Sequence, residues 1–371
     1  MINKEIIKKT AYNFDIDICR ITDGSELTEA RKNLKKRKAE GYWPQPFTDK
    51  DIEKITTPAQ HLENLKSVIV VAISYNNTAE KSTSNSISKY VSKKDYHHIL
   101  REKMQLLIER LADNFGFELV EGKNYKIMVD TEPILERALA ERAGAGFIGK
   151  NSMLIHPDYG SYIFLGEIFV DFEIESDRPL EIDCGECTDC LKSCEGGALK
   201  KSYLVDGESC ISYLTQKKGI LSLEDRKKIG YHIWGCDKCQ QVCPYNKQRK
   251  LIEKGKEDKK DLLHFDKDLE YFLKMDRRDP DSELNETAMM WRGSRILIRN
   301  AIIAAANLNK VEYYELIKEK LNDNSPIIRF YAAWAAAALS FEKAEAVLKR
   351  HLKSENNREV KKEIKRILKE D

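Results

Sequence analysis

No stretch of these 371 residues reaches the ~18 consecutive apolar residues that a membrane helix needs, so a soluble protein with no membrane partner is expected. An export signal is missing as well. Residues Met1 to Lys9 hold no apolar core ahead of a cleavage site, which argues against disulfides and points to the cytoplasm. No Gly-x-Gly-x-x-Gly fingerprint follows a strand pattern and no Walker loop is present, so nicotinamide and nucleotide chemistry lack support. Charge of one sign is lacking overall: 63 Lys and Arg stand against 61 Asp and Glu, for a net +2. That balance by itself says little about partners.

Cysteine is sparse and then abruptly dense. Eight of the nine fall between Cys184 and Cys243. The first run, Cys184, Cys187, Cys190 and Cys194, has the spacing C-x2-C-x2-C-x3-C. The second, Cys236, Cys239 and Cys243 followed by Pro244, is C-x2-C-x3-C-P, with Ile233 where a further cysteine would complete a bacterial ferredoxin run. Cys210, between the runs, replaces it. Three close cysteines hold three irons of a cubane and the other run supplies the fourth ligand. This assigns one 4Fe–4S cluster to Cys184, Cys187, Cys190 and Cys243, and a second to Cys194, Cys210, Cys236 and Cys239. Structural zinc prefers separated pairs of thiolates and fits less well. Glu195 follows Cys194 where ferredoxin runs carry proline. Cys19, in an apolar stretch, reads as a core thiol.

The rest of the chain divides by pattern. Residues 1–180 mix helical periodicity with strand-like runs and read as an α/β (α+β) catalytic domain. Lys66 to Tyr75 is a β-branched run suited to a strand buried on both faces. Tyr125 to Asp130 and Tyr162 to Val170 are further strands, and His98 to Phe115 is an amphipathic helix. Residues 181–246 form the ferredoxin-like two-cluster domain, and 247–282 a charged connector. From 283 to 371, Arg299 to Leu308 is echoed by Arg329 to Leu339 and, in more polar form, by Lys361 to Leu368. Such alanine-rich echoes suit stacked helix pairs of a short α-solenoid of HEAT-like type. Nine Lys and Arg against three Glu lie between Lys349 and Lys369, a basic face able to meet a polyanion or simply to be solvated.

Two clusters need something to reduce, so the first domain should hold the reacting centre. Its densest polar segment runs from Val129 to Gly144. There a strand ends, a helix begins with Pro133 near its first turn, and glycine closes it. Asp130 or Thr131 is a helix N-cap on one reading, and Asp130 is a site residue at a strand's end on the other. The glycines of Gly144 to Gly149, followed by Lys150, Asn151 and Ser152, allow either close ligand approach or tight turns.

These residues carry a family resemblance. Val129-Asp130-Thr131, the run Glu136 to Asn151, Tyr159-Gly160-Ser161, Phe164 to Ile168, both cysteine runs, Trp234-Gly235-Cys236 and Cys243-Pro244-Tyr245-Asn246 together resemble the epoxyqueuosine reductases. The resemblance spans most of the chain. It implies a cobalamin-dependent reductase that removes the epoxide oxygen of epoxyqueuosine at the tRNA wobble position. It further implies a catalytic domain resembling nitroreductase-type folds adapted to cobalamin, and a relation to reductive dehalogenases. Asp130 takes the family's proton-donor position. Tyr90, Asp95, Tyr96, His97, Lys150, Asn151, Ser152, Asp237 and Lys238 fall to cofactor contact. Leu100 stands where cobalamin-ligating mutases carry glycine, so His97 is not read as that kind of axial ligand.

The implied chemistry uses one-electron delivery by the clusters, the reactivity of cobalt, and a proton from Asp130 with its affinity raised by burial. A monomer fed by an external low-potential electron donor is expected, gripping tRNA through Lys361, Lys362, Lys365 and Arg366. A pure two-cluster electron carrier and a dehalogenase-like reductase of small molecules are the rivals. The carrier leaves the first domain without a purpose, and the dehalogenase leaves the basic tail without one.

Overall fold

The computed structural model describes residues 2–42, 51–75, 86–92, 94–116, 118–247, 267–278, 280 and 282–369. The expected connector 247–282 lies largely outside them. By contacts the chain forms two compact units, each assembled from separated segments. The first comprises Met1–Glu80, Lys93–Glu208 and Asp237–Leu262; the second comprises Lys81–Ser92, Ser209–Cys236 and Leu263–Asp371.

Six strands of the first unit are β1 (Ile18–Asp23), β2 (Ser67–Ser74), β3 (Tyr125–Met128), β4 (Phe147–Ile148), β5 (Leu154–Ile155) and β6 (Ile163–Val170). Four of them make a sheet in the order β1-β2-β6-β3 with every pair antiparallel, so the expected mixture is α+β rather than parallel α/β. All of β2 is buried, as its unbroken apolar run demands. Antiparallel sheets commonly leave one face to water, but here helices cover both. α1 (Lys4–Asn13) and α4 (Tyr96–Phe115) lie on one side, close enough that Met104 leaves no room for a Cβ at Gly166. On the other side, Leu139, Ala140 and Ala143 of α5 (Glu136–Arg142) pack on Val68, Val70, Ala72, Met128 and Phe169. Between α1 and α4 in the chain, α2 (Thr28–Ala39) and α3 (Ile52–Thr56) pack on each other.

Cys19 is buried in β1 as a core thiol, and burial pushes its pKa up to about 12. Asp95 caps α4 by accepting the His97 backbone N–H at 3.1 Å. Gly116, with a positive φ, closes that helix as left-handed C-caps do.

In the second unit the three sequence echoes are the helices Ser294–Asn307, Pro326–Leu339 and Arg358–Leu368. Each follows a partner helix, and the middle one packs on the other two. Ala301, Ala304, Ala305, Ala332, Ala333, Ala335 and Ala336 are all buried, letting backbones approach. The arginines heading the first two echoes do different work. Arg329 makes a forked ion pair with Glu355 at 2.7 and 2.8 Å. Arg299 is fully buried, with no carboxylate on it among the described residues. It donates instead to the carbonyls of Leu214, Thr215 and Lys217, while Asn300 reaches Thr215 and Ile233, both at 2.7 Å. Among the described residues no helix is long and apolar enough to cross a membrane.

Candidate active site

Asp130 lies two residues beyond β3 and is not a helix cap. Helix α5 starts six residues later, at Glu136, with Leu135 in the cap position and no side-chain cap bond. Pro133 therefore belongs to the connecting loop rather than to the first turn. Asp130 has φ +54°, a left-handed conformation uncommon for a residue with a side chain. Two carboxylates bracket the loop that holds it. Glu136 accepts the Asp130 backbone N–H, and Glu132 accepts the Val129 N–H at 3.1 Å and the Thr131 hydroxyl at 3.2 Å. Strain of this kind persists where the surroundings over-determine it, and it concentrates at functional sites.

The Asp130 side chain is 58 % exposed, not buried as expected from the sequence. His97 is its neighbour. His97 Nε2 lies 3.4 Å from Asp130 Oδ2, an ion-pair contact without hydrogen-bond geometry, and His97 Nδ1 lies 2.6 Å from Asp95 Oδ1. Burial lowers the imidazole pKa, but the contacts to Asp130 and Asp95 more than offset it, and the value rises to about 9. Because that folded value exceeds the ordinary one near 6.5, the contribution of this pairing to stability is fully present below pH ~6.5 and is lost as pH rises through about 9. Tyr96 stacks on His97 at 4.2 Å and on Phe164 at 4.4 Å, and Tyr75 stacks on Phe164 at 4.3 Å. A row of rings thus ends at the acid–base pair.

The first cysteine set gathers within the first unit. Cys184, Cys187, Cys190 and Cys243 lie close enough to influence one another electrostatically, and burial together with the neighbouring thiols raises the affinity of Cys190 for its proton. Phe147, Ile155 and Tyr245 pack around Cys243 and Cys184. The Lys150 backbone N–H donates to Cys184 Sγ at 3.4 Å, and the Lys150 amine reaches the Gly185 carbonyl. None of the nine cysteines is disulfide-bonded. Among the described residues no three His, Cys, Asp or Glu side chains converge on a single-ion site. A cubane, whose iron corners hold their thiolates apart, is the group that four such thiols fit.

Of the second set, Cys194 and Cys239 belong to the first unit, and Cys210 and Cys236 to the second. Cys194 Sγ accepts the Ala198 N–H at 3.2 Å. Cys210 stands at the N-cap of helix Ile211–Gln216, and the Gly235 N–H beside Cys236 donates to Thr215 at 3.0 Å.

Glu195, in place of the usual proline, pairs with Lys238 at 3.0 Å. That bridge joins the two cysteine runs and assigns Lys238 a structural partner. Asp237 is buried and accepts from Gln240 at 3.0 Å. Asn151, also buried, accepts the Met153 N–H, while Ser152 has φ +62° and its carbonyl takes Arg137. Tyr90 accepts the indole N–H of Trp234 within the second unit.

The motif Tyr159-Gly160-Ser161 proves to be a contact surface. Asn246 accepts the Ser161 N–H at 2.7 Å and donates to the Ser161 hydroxyl at 2.9 Å, and that hydroxyl donates to Gln240 at 2.9 Å. Gly160 has φ +71° and no room for a Cβ against Asn246. Three residues were not singled out from the sequence: Glu136, Glu167 and Trp291. Glu167, within an otherwise apolar strand, carried the only available signal, a charge at a position that the alternation buries.

The 4Fe-4S double cluster binding domain family matches residues 183–246, and the family described as epoxyqueuosine reductase QueG, DUF1730, matches residues 56–131. The epoxyqueuosine reductase of Bacillus subtilis (strain 168) is 34% identical over 98% of this chain and 94% of its own length. That of Staphylococcus aureus (strain NCTC 8325 / PS 47) is 34% identical over 92% and 90%. A crystal structure of epoxyqueuosine reductase with a tRNA-Tyr epoxyqueuosine-modified stem loop superposes with a TM-score of 0.88 at 32% identity, covering 99% of this chain and 98% of that one. With such identity along nearly the whole of both chains, this chain belongs to the epoxyqueuosine reductase family.

Proposed function

We propose that this chain reduces epoxyqueuosine to queuosine in tRNA, with cobalamin at the reacting centre and two 4Fe–4S clusters feeding it electrons. The observation that carries the reading is the Asp95–His97–Asp130 array, a proton held beside an exposed carboxylate at the family's proton-donor position. The first domain is then a nitroreductase-type fold, and the C-terminal helix pairs are HEAT-like. The half-buried rings of Tyr96 and His97 beside Asp130 could form one wall of a site for a macrocycle next to a proton source. Cobalamin bound there would supply a strongly reducing cobalt, the part of the chemistry no side chain can provide.

The protein's own residues manage the proton. An alkoxide is a poor leaving group, so opening the epoxide needs an acid in place. His97 holds that proton at neutral pH, Asp95 fixes the ring, and Asp130 presents the proton to the departing oxygen. Mass spectrometry of nucleosides from tRNA treated with the reconstituted, reduced protein should show epoxyqueuosine replaced by queuosine. Unchanged epoxyqueuosine beside intact clusters and bound cobalamin would favour the small-molecule dehalogenase reading.

For the tRNA grip, Lys361, Lys362 and Lys365 are partly or wholly exposed on the last helix, but Arg366 is committed elsewhere. It binds Glu363 at 2.7 and 2.9 Å, and the same carboxylate takes the buried Arg226 at 2.8 Å. Neutralising Arg366 would therefore disturb packing as well as charge. The second unit also offers Trp291, 61 % exposed, with the Arg292 guanidinium 3.6 Å from its ring, a platform of the kind that stacks unpaired bases. Neutralising the three lysines should flatten the slope of log affinity against log salt by up to ~0.9 for each phosphate no longer neutralised. Trp291→Ala should weaken stem-loop binding without changing that slope. Filter binding across a salt series separates the two, and a triple-lysine variant with the parent slope would reduce the tail to a scaffold.

A further inference from the structure

Arg299 carries a buried charge that its surroundings do not neutralise. The residue is fully buried in helix Ser294–Asn307. Its guanidinium donates to the carbonyls of Leu214, Thr215 and Lys217, and in a fork to Asn300 Oδ1 at 2.8 and 3.0 Å. All four acceptors are neutral. Among the described residues the ionisable group acting on it is the Tyr331 phenol, which burial holds protonated. Burial lowers the pKa of Arg299 to about 10, so it is a cation at neutral pH. A buried cation without an anion is costly, and the partial negative charge of a helix end offsets only part of that cost.

The same contacts set the charge beside two segments that carry cluster ligands. Leu214, Thr215 and Lys217 lie at the end of helix Ile211–Gln216, and Cys210 is its N-cap. Asn300 donates to the Thr215 and Ile233 carbonyls, both at 2.7 Å, and the Thr215 hydroxyl accepts the Gly235 N–H at 3.0 Å. Gly235 immediately precedes Cys236. With a rise of ~1.5 Å per residue, so short a helix puts the guanidinium on the order of 10 Å from Cys210. Neither Cys210 nor Cys236 is disulfide-bonded and both are partly exposed, thiols of the kind a cubane takes.

We propose that Arg299 is the counter-charge of the cluster assigned to Cys194, Cys210, Cys236 and Cys239, and that it raises the reduction potential of that cluster. A cubane on four thiolates is an anion and becomes more negative with each electron it accepts. A fixed cation nearby therefore favours the reduced form. The electron comes from the external donor and leaves for the reacting centre, and no proton moves with it. At an effective dielectric of ~20, a charge on the order of 10 Å away shifts the reduction equilibrium about tenfold. The cluster then fills from a weaker donor than it otherwise would. Arg299 acts through the cluster and is a positioning residue, and Asn300 holds its guanidinium at the helix end.

The inference rests on the cluster assignment of the proposed function, and its test needs no substrate. Redox titration of the reconstituted full chain, followed by electron paramagnetic resonance, reads each cluster alone. Cys187→Ser isolates the second cluster and Cys210→Ser the first. Arg299→Gln should make reduction of the second cluster about tenfold less favourable, a midpoint lower by ~59 mV for one electron. The midpoint of the first cluster should stay where it is. Arg299→Lys keeps the charge without the fork and should stay near the parent midpoint. Asn300→Asp puts a carboxylate on the guanidinium and should lower the midpoint as Arg299→Gln does. An unchanged midpoint in Arg299→Gln with its iron intact overturns the proposal, as do equal falls in the Gln and Lys variants, which mark a packing role. If Arg299→Gln loses the cluster, Asn300→Asp decides: a lowered midpoint supports the counter-charge and a parent midpoint overturns it. Loss of the cluster from both reduces the pair to a scaffold and overturns it too. A Cys187→Ser chain with no second-cluster signal overturns the assignment on which the inference rests.

Discussion

Asp130→Asn is expected to slow single-turnover deoxygenation by a factor on the order of 10²–10⁴, the range for loss of a positioned acid. Iron content, cobalamin retention and stem-loop binding should stay at parent levels, because the Asp130 side chain is largely exposed. A second readout marks the cause as protonic. His97 should titrate near 9 in the parent, since Asp130 and Asp95 hold its proton. In the variant the titration midpoint should move back toward ~6.5, because the more distant of its two carboxylate partners has become a neutral amide. Nuclear magnetic resonance of the imidazole follows this directly. Normal turnover with a shifted His97 would remove Asp130 from the chemistry while leaving the pairing intact.

Cluster loss should be as severe and more selective. Anaerobically reconstituted protein is expected to hold about eight irons. Cys210→Ser should lower that to about four, removing the cluster assigned to Cys194, Cys210, Cys236 and Cys239. The spectrum of the cluster on Cys184, Cys187, Cys190 and Cys243 should survive, because those four thiols lie within one compact unit and do not depend on Cys210. Cys187→Ser should do the reverse. Either variant interrupts electron delivery, so turnover with an external donor should fall to background even though Asp130, His97 and the sheet are untouched. An iron content unchanged by Cys210→Ser would exclude that residue as a ligand.

The helical tail contributes more than a basic surface. Arg299 and Asn300 bond the backbone at Leu214, Thr215, Lys217 and Ile233. Those positions follow Cys210 and precede Cys236 within the second unit. The first repeat helix thereby orders two of the segments that carry cluster ligands, and a buried arginine is a costly way to do so unless the geometry matters.

Several features were legible in the sequence because they are local. The double-cluster domain is written in spacing, since three thiolates must fall within a few residues to reach three irons of one cubane. The β2 run reads as a doubly buried strand from its unbroken β-branched residues, and the repeat helices read from alanine-rich echoes thirty residues apart. The position of Asp130 beyond a strand end was legible for the same reason.

What the tertiary structure alone decided depends on residues far apart in the chain. Antiparallel register puts Glu167 beside Met128 and Val70 and under the start of α5, and no local pattern reveals that an acid in an apolar strand will lack a hydrogen-bond partner among the described residues. Asp130 is exposed rather than buried, and left-handed rather than capping a helix, because Glu132 and Glu136 bond the loop around it. Arg366 looks like one more basic residue until it is seen to share Glu363 with the buried Arg226. A reading along the chain draws boundaries at residues 180 and 246, whereas contacts assemble each unit from three separated segments. Spacing along the chain determines which atoms a cluster can gather, but burial, register and charge pairing follow from which segments meet, and that is fixed only when the chain has folded.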